Sequence, residues 1–294
     1  MATGWTTTGS LADSLDDVRS SARAVRMYEG VVPQLCDKKT LGEGIGLSWQ
    51  EITYANLTAQ SISETTDLDN PQQISDSLQT ITPTVVGLET FVTDRVRARI
   101  SKIGLAQIGS LGQRAIQNKK DKDGITIFAS GATTASPGAG VTLTSSYIAS
   151  AVSNISSNAT EPGNPPYRCV LHGFQIKDIA DGIVAGVGTY PIGEGLTARV
   201  FAEGFRGMVG GAQVYEDGNI GIISGDDAYG AVFAQDGIVL VQGRAPRIVN
   251  QRNERRGGGG EHIYHYDEYA YGERPSAAYG WVQAILSDAT APSS

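Results

Sequence analysis

From Thr40 to Asp94 the chain reads TLGEGIGLSWQEITYANLTAQSISETTDLDNPQQISDSLQTITPTVVGLETFVTD. This stretch holds no lysine or arginine and eight acids: Glu43, Glu51, Glu64, Asp67, Asp69, Asp76, Glu89 and Asp94. Ile45, Leu47 and Trp49 alternate, then the phase slips across Gln50–Glu51 to Ile52 and Tyr54, which predicts a β-strand with a bulge. Ser63 to Gln73, with Pro71 inside it, predicts a polar turn region. A second extended run goes from Ile81 through Val85, Val86 and Leu88 to Val92. The whole reads as a protruding β-arm, two long strands joined by a polar tip. Two strands alone bury too little surface to be stable in water, so the arm must lie on something. Its uniform negative charge says that the support is positive.

The next segment supplies that charge. Arg95, Arg97, Arg99, Lys102, Arg114, Lys119, Lys120 and Lys122 follow within one block. Thr93 can cap a helix there, with Asp94 favoured in the first turn by the helix dipole. Val96, Ile100, Ile103, Ile108, Leu111 and Ala115 fall roughly on one face, predicting a long helix from residue 93 to 122. Gly104, Gly109 and Gly112 each cost about 1 kcal/mol against alanine in a helix, so their presence implies close packing against another element. Whether arm and helix pair within one chain or between two chains is left open by the residues themselves.

Outside this pair the pattern is mixed α and β. Leu11, Leu15, Val18, Ala22 and Val25 have helical spacing in an opening segment, 11–35, that Pro33 would end. A short strand is expected at Ile125–Phe128, and a helix from Thr144 or Ser145 with Tyr147, Ile148, Ala151, Val152 and Ile155 on its core face. Glu161–Pro166, with three prolines and a glycine, marks a domain boundary. Beyond it come a buried strand, Tyr167–Leu171, and a short helix, Gln175–Ile183. Short strands follow at Leu196–Phe201, Ala212–Tyr215, Ile220–Ile223, Gly230–Ala234 and Gly237–Val241, the last continued by Arg247–Val249. An Arg- and Gly-rich loop, Arg252–Gly260, precedes aromatic strands at His262–Tyr271 and Ala277–Leu286.

Composition narrows the function. The chain has 294 residues, 18% of them charged, and 37 glycines that keep no period of three, which excludes collagen. A net charge of −8 argues against a surface built to grip DNA by its phosphates. Cys36 and Cys169 lie far apart with no CxxC, so neither a zinc finger nor a disulfide framework is indicated. Met1–Val18 lacks the basic start and apolar run of a signal peptide, and no 18-residue window is apolar enough to cross a membrane.

Enzyme signatures are missing as well. There is no phosphate-binding G-x-x-x-x-G-K-[ST] and no G-x-S-x-G, and Gly186-Val-Gly188 has no third glycine at the right spacing. His262 and His265 with Asp267 and Glu268 have metal-ligating chemistry, but residues three apart on a strand face opposite ways. The same spacing separates Cys169 from His172, a thiol and base otherwise suited to nucleophilic chemistry. Gly257–Gly260, flanked by Arg247, Arg252, Arg255 and Arg256, has the composition of a phosphate cradle and equally of a surface loop. The expectation is a protein without catalytic residues, metal or cofactor.

The order of elements resembles a tailed-bacteriophage major capsid protein, of the Hong Kong 97 type fold. Thr82-Pro83 through Val92 into Thr93-Asp94-Arg95 carries the resemblance. So do the helix with Gly112 and Ala115 ending at Lys120-Asp121-Lys122-Asp123-Gly124, and Arg168-Cys-Val-Leu-His172. The resemblance covers nearly the whole chain and implies an α+β fold with five parts. These are an N-terminal arm (1–39), an extended hairpin or E-loop (40–92), a peripheral domain with a spine helix (93–165), an axial domain (166–270), and a strand returning to the peripheral domain with a tail (271–294). It implies pentamers and hexamers closing an icosahedral shell around double-stranded DNA, in a virion assembled in the host cytoplasm. Decoration, portal and scaffolding proteins would be partners, with DNA touched only non-specifically and no membrane. Each acidic E-loop (Glu43, Trp49, Glu51, Glu64, Asp67, Asp69, Asp76) would seat on a neighbour's basic helix (Arg95, Arg97, Arg99, Lys102, Arg114). Some members crosslink covalently from a lysine in this loop; the arm here has none, so that chemistry is not expected. The rival readings are a tail-tube or sheath protein and, less consistent with the residues, a hydrolase or metal-dependent enzyme.

Overall fold

The computed structural model describes residues 28–65, 71–99, 102–186, 207–255, 258–274 and 279–292; of residues 102–107 and 183–186 only the backbone is described. The helical spacing over 11–25, Asp67 and Asp69, and the expected strand Leu196–Phe201 lie outside these residues.

Two sheets and a ribbon make the fold. The first sheet has four strands in the order β1–β10–β11–β4: β1 is Asp37–Thr40, β10 Ile238–Asn253, β11 Gly260–Glu273 and β4 Thr84–Thr93. β1 runs parallel to β10 and the other pairs are antiparallel. The second sheet runs β12 (Val282–Asp288), β9 (Asp227–Ala234), β5 (Tyr167–Leu171), β7 (Ala212–Glu216) and β6 (Met208–Val209), with the short β8 (Ile222–Ile223) alongside β9. The ribbon pairs β2 (Trp49–Tyr54) with β3 (Asp76–Ile81).

Period-2 alternation welds the sheets together. Cys169 and Leu171 of β5, with Val232 and Ala234 of β9, face one core. There they meet Ile148, Ala151, Val152 and Ile155 of α4 (Ser145–Ser156) and Ile176 and Ile179 of α5 (Gly173–Gly186). Val170, Ala231 and Phe233 face the opposite way into a second core. There they meet Ile238, Leu240 and Tyr269 of the first sheet, together with Phe128 and Val32. Strands buried on both faces read as unbroken apolar runs, which is how β9 reads.

The helices follow expectation in place and differ in extent. The basic segment forms α2 (Asp94–Arg99) and α3 (Lys102–Thr126). α3 continues through the expected strand Ile125–Phe128 into a 3-10 turn, Ile127–Ser130, because Phe128 in helical phase is fully buried in the second core. Gly124 is needed there: an added Cβ would lie 2.7 Å from a Val32 methyl and 3.1 Å from the Tyr271 ring. Pro33 opens α1 (Val32–Leu35) rather than closing a helix, as suits a residue whose φ is preset and whose N–H is not needed in a first turn. No helix among the described residues is long and apolar enough to cross a membrane.

Two further expectations are corrected. The first arm strand begins at Trp49, since Gly44 and Gly46 turn the chain at positive φ, and its register with β3 is unbroken, with no bulge at Gln50–Glu51. The second run is two strands: Pro83, which cannot donate to a ladder, ends the ribbon after Ile81, and β4 joins the first sheet instead. The outer half of β10 and all of β11 lie in the first sheet with β4, and the last strand, β12, pairs with β9 while its Gln283 bridges to Ala132.

Candidate assembly interface

The ribbon is tied to the body chiefly at its root, with one further tie beyond Tyr54, where Asn56 Nδ2 donates to the Thr160 carbonyl at 2.8 Å. Ile81 and Trp49 pack against Val239, Val241 and Ala270. Glu51 accepts from Arg274 Nε at 2.7 Å, and Arg274 Nη2 reaches Asp37 at 2.9 Å, so one arginine clamps arm and body together. Gln79 Nε2 donates to the Glu273 carbonyl at 2.6 Å. Beyond this root the strands expose apolar side chains: Ile52 is 52% exposed, Tyr54 66% and Leu78 58%. Ile45, Leu47, Leu57, Ile62 and Ile74 are exposed too. Monomeric proteins rarely leave so much contiguous apolar surface in water.

The sequence-predicted interface residues divide between two uses. Glu43, Glu64 and Asp76 are exposed on the arm, whereas Glu51 is spent on Arg274 and Trp49 on the root. On the helices, Arg95, Arg99 and Arg114 are exposed and form no ion pair with any described residue. Arg97 pairs with Glu261 at 2.7 Å, inside the chain. Lys120 is withdrawn as well, 3.2 Å from the buried Asp267 and over the Tyr269 ring at 4.8 Å. The Lys102 side chain, Asp67 and Asp69 lie outside the description. Among the described residues no salt bridge joins an arm acid to α2 or α3. Arg274 was missed because its partners are remote in sequence, 223 residues away for Glu51.

The chemical candidates meet other fates. β11 turns His265 to the helix side, where its Nε2 is 3.2 Å from the Gly109 carbonyl and its ring fills the place of a Gly112 Cβ, 2.5 Å from it. His262 faces the other way, its Nδ1 against Glu89 and its ring 4.4 Å from Phe91. The strand thus holds the two imidazoles apart. Cys169 is fully buried, and burial pushes its thiol far above the usual range; Cys36 is pushed up to about 12 for the same reason. His172, its pKa lowered by burial, stacks edge-on with Phe174 at 4.6 Å. Neither thiol is available as a thiolate nucleophile. The Arg-rich loop is the tip of the β10–β11 hairpin, where Arg252 Nη2 is 2.8 Å from Asp94. Arg256 and Gly257 are outside the description.

One polar knot is deeply buried. Asp121 of α3 accepts from the Val32 amide at 3.1 Å and from Asn219 Nδ2 at 2.8 Å. Asp217 accepts from the Val31 amide at 3.1 Å. Burial first, and then the neighbouring Asp217 charge, raise Asp121 to about 6 against the opposing hydrogen bonds from Asn219 and Val32. The knot fastens the chain before α1 to α3 and to the turn after β7.

No protein-family model matches the sequence, and no curated protein is similar to it. Solved structures do match by shape. The capsid of cyanophage P-SCSP1u superposes with a TM-score of 0.71 at 14% identity, covering 98% of this chain and 96% of that one. The head structure of Helicobacter pylori bacteriophage KHP40 gives 0.70 at 11% identity over 97% and 98%. The capsid of a native GTA particle gives 0.65 at 12% identity over 97% and 100%. The chain has the fold of a phage capsid protein. Within that capsid fold, the apolar side of the ribbon stays exposed, and Arg95, Arg99 and Arg114 form no ion pair with any described residue.

Proposed function

We propose that this chain is the structural unit of a phage head, assembling as pentamers and hexamers into a closed icosahedral shell around double-stranded DNA. The observation that carries the reading is the arm: a two-stranded ribbon held to the body at its root and through Asn56, with Ile52, Tyr54 and Leu78 left exposed for a neighbouring subunit to cover. Its acids, Glu43, Glu64, Asp67, Asp69 and Asp76, set orientation against a neighbour's Arg95, Arg99, Lys102 and Arg114, since complementary charge fixes register more than it adds affinity. Each contact can be weak, because a closed shell repeats it in every subunit. The net charge of −8 keeps packaged DNA from adhering to the wall. The function asks for no catalytic residue.

Negative-stain electron microscopy with light scattering on the purified protein at high concentration tests this. Closed shells, or rings of five and six, are the expected result. Tubes would move the assignment to a tail protein, and a monodisperse monomer that no scaffold converts would overturn it.

A further inference from the structure

Asp121 and Asp217 are 1% and 0% exposed, and among the described residues neither forms an ion pair with a lysine or arginine. The buried Asp267, by contrast, has Lys120 at 3.2 Å. Three parts of the chain bring the two acids together. The consecutive amides of Val31 and Val32 donate to Asp217 Oδ2 and Asp121 Oδ1, each at 3.1 Å. Asn219 spans the same two groups, its backbone N–H donating to Asp217 Oδ1 at 2.9 Å and its Nδ2 to Asp121 Oδ2 at 2.8 Å. Asn118 Nδ2, 2.7 Å from Asn219 Oδ1, fixes that asparagine from α3. The carboxyls are also hydrogen-bonded to each other, which requires a proton between them, because two carboxylates can only accept. The segment they hold is closely fitted. An added Cβ on Gly30 would lie 1.8 Å from Asp121 Cγ, one on Gly218 would lie 2.9 Å from the Tyr28 ring, and Tyr28 Oη donates to the Glu216 carbonyl at 2.9 Å.

We propose that this carboxyl pair is a proton-operated clasp on residues 28–32, closed while the two acids share one proton and loosened when both are ionised. It stands on the pair alone and is independent of the shell reading. With both groups ionised, two like charges meet in a site closed to water, with no cation to offset them. The strain is relieved where the site is least held. Asp121 sits within α3, and Asp217 is tied to β5 through its amide, 2.9 Å from the Leu171 carbonyl. Residues 28–31 belong to no helix or strand, so they are the part that yields. Burial first, and then the Asp217 charge, place the Asp121 step at about 6. The bound proton favours the closed state, so the clasp is tight below about pH 6 and slackens as pH rises through it. Other groups around the pair leave this sense unchanged. Burial pushes Cys36 up to about 12 and Tyr271 far above the usual range, so both stay neutral. Lys38 and Arg168 act on Cys36, and Asp123 is engaged by Tyr269 and Lys119. His172, just after β5, is lowered by burial against the Glu216 and Asp217 charges that raise it. An imidazolium there would hold Asp217 ionised in acid, which is the opposite sense.

Hydrogen–deuterium exchange of the full chain at pH 5.0 and pH 7.5, with rates corrected for intrinsic exchange, tests the clasp. Protection of the Val31 and Val32 amides should fall at least tenfold from the lower pH to the higher. Val170 and Val232, in the junction between the sheets, should change less than twofold. Asp121→Asn and Asp217→Asn each leave a single charge, and in both the fall at Val31 and Val32 should shrink below twofold. His172→Gln should leave the full fall in place. Where one carboxyl variant fails to fold, the other decides. Equal wild-type protection at the two pH values would overturn the proposal, as would a fall that survives removal of either carboxyl. A fall that His172→Gln abolishes would move the effect to the imidazole, and one shared by Val170 and Val232 would report global unfolding; both results overturn the clasp.

Discussion

The strands at the junction of the two sheets and the strands of the arm are written in the same residue types, and they end in opposite environments. In β9, Ala231, Val232, Phe233 and Ala234 are all inaccessible, because helices cover one face and the other sheet covers the second. In the ribbon, Ile52 and Leu78 lie across from each other and are each more than half exposed. Apolar alternation specifies that a face will be covered and is silent on which chain covers it. The junction is complete within one chain; the arm's Ile52, Tyr54 and Leu78 stay exposed within it.

Four variants sharpen that contrast. Phe233→Ala should be the most damaging: it empties a fully buried site between the sheets and should cost about 4 kcal/mol, lowering Tm by about 10 °C in a thermal melt of the dissociated subunit. Arg274→Ala comes next. It strands Glu51 and Asp37 at the arm's root and should cost about 2 kcal/mol in urea titration, with earlier proteolysis of the ribbon than of the sheets.

Asp121→Asn acts on pH dependence. Its pKa rises from 3.8 unfolded to about 6 folded, so the folded state binds the extra proton between those values. That contribution is fully present below about pH 4 and is lost as pH rises through about 6, at most about 3 kcal/mol for a shift of two units. Denaturant titrations at pH 4.5 and pH 7.5 should show the wild type losing stability relative to the variant; parallel profiles would refute the buried carboxyl pair. The smallest effect on folding belongs to the arm. Ile52→Ser with Leu78→Ser should change subunit stability by less than about 0.5 kcal/mol, as exposed sites do, and yet abolish shells in the microscope. A large loss of subunit stability there would mean that the ribbon is covered from within.

What the sequence disclosed follows the range of the interactions. α4, β5 and α5 are legible because their signals are local: a helical stripe ending on Ile155, a contiguous Cys169–Leu171 run, a second stripe through Ile176 and Ile179. The split of the second arm run was also written locally, in Pro83, but the apolar residues on either side outweighed it. The strand misread at Ile125–Phe128 is a short apolar run that a helix end and a strand share. The partners of β12 and the outer half of β10 depend on contacts across most of the chain, and no local pattern carries them. For the interface, exposed charge was legible as composition, whereas its allocation was not. Glu51 and Arg97 are engaged by Arg274 and Glu261, and only folding brings those together. Gly112 was the one sequence hint of the His265 contact.

The length of β10 has a mechanical meaning. Its 16 residues, ~50 Å at ~3.3 Å each, begin in the buried junction at Ile238 and end at the hairpin tip at Asn253. Tension applied along the hairpin loads the β10–β11 ladder lengthwise, so its hydrogen bonds resist in shear together instead of opening one after another. A load on the tip is thereby carried along the whole strand into the residues of the subunit that are most completely buried.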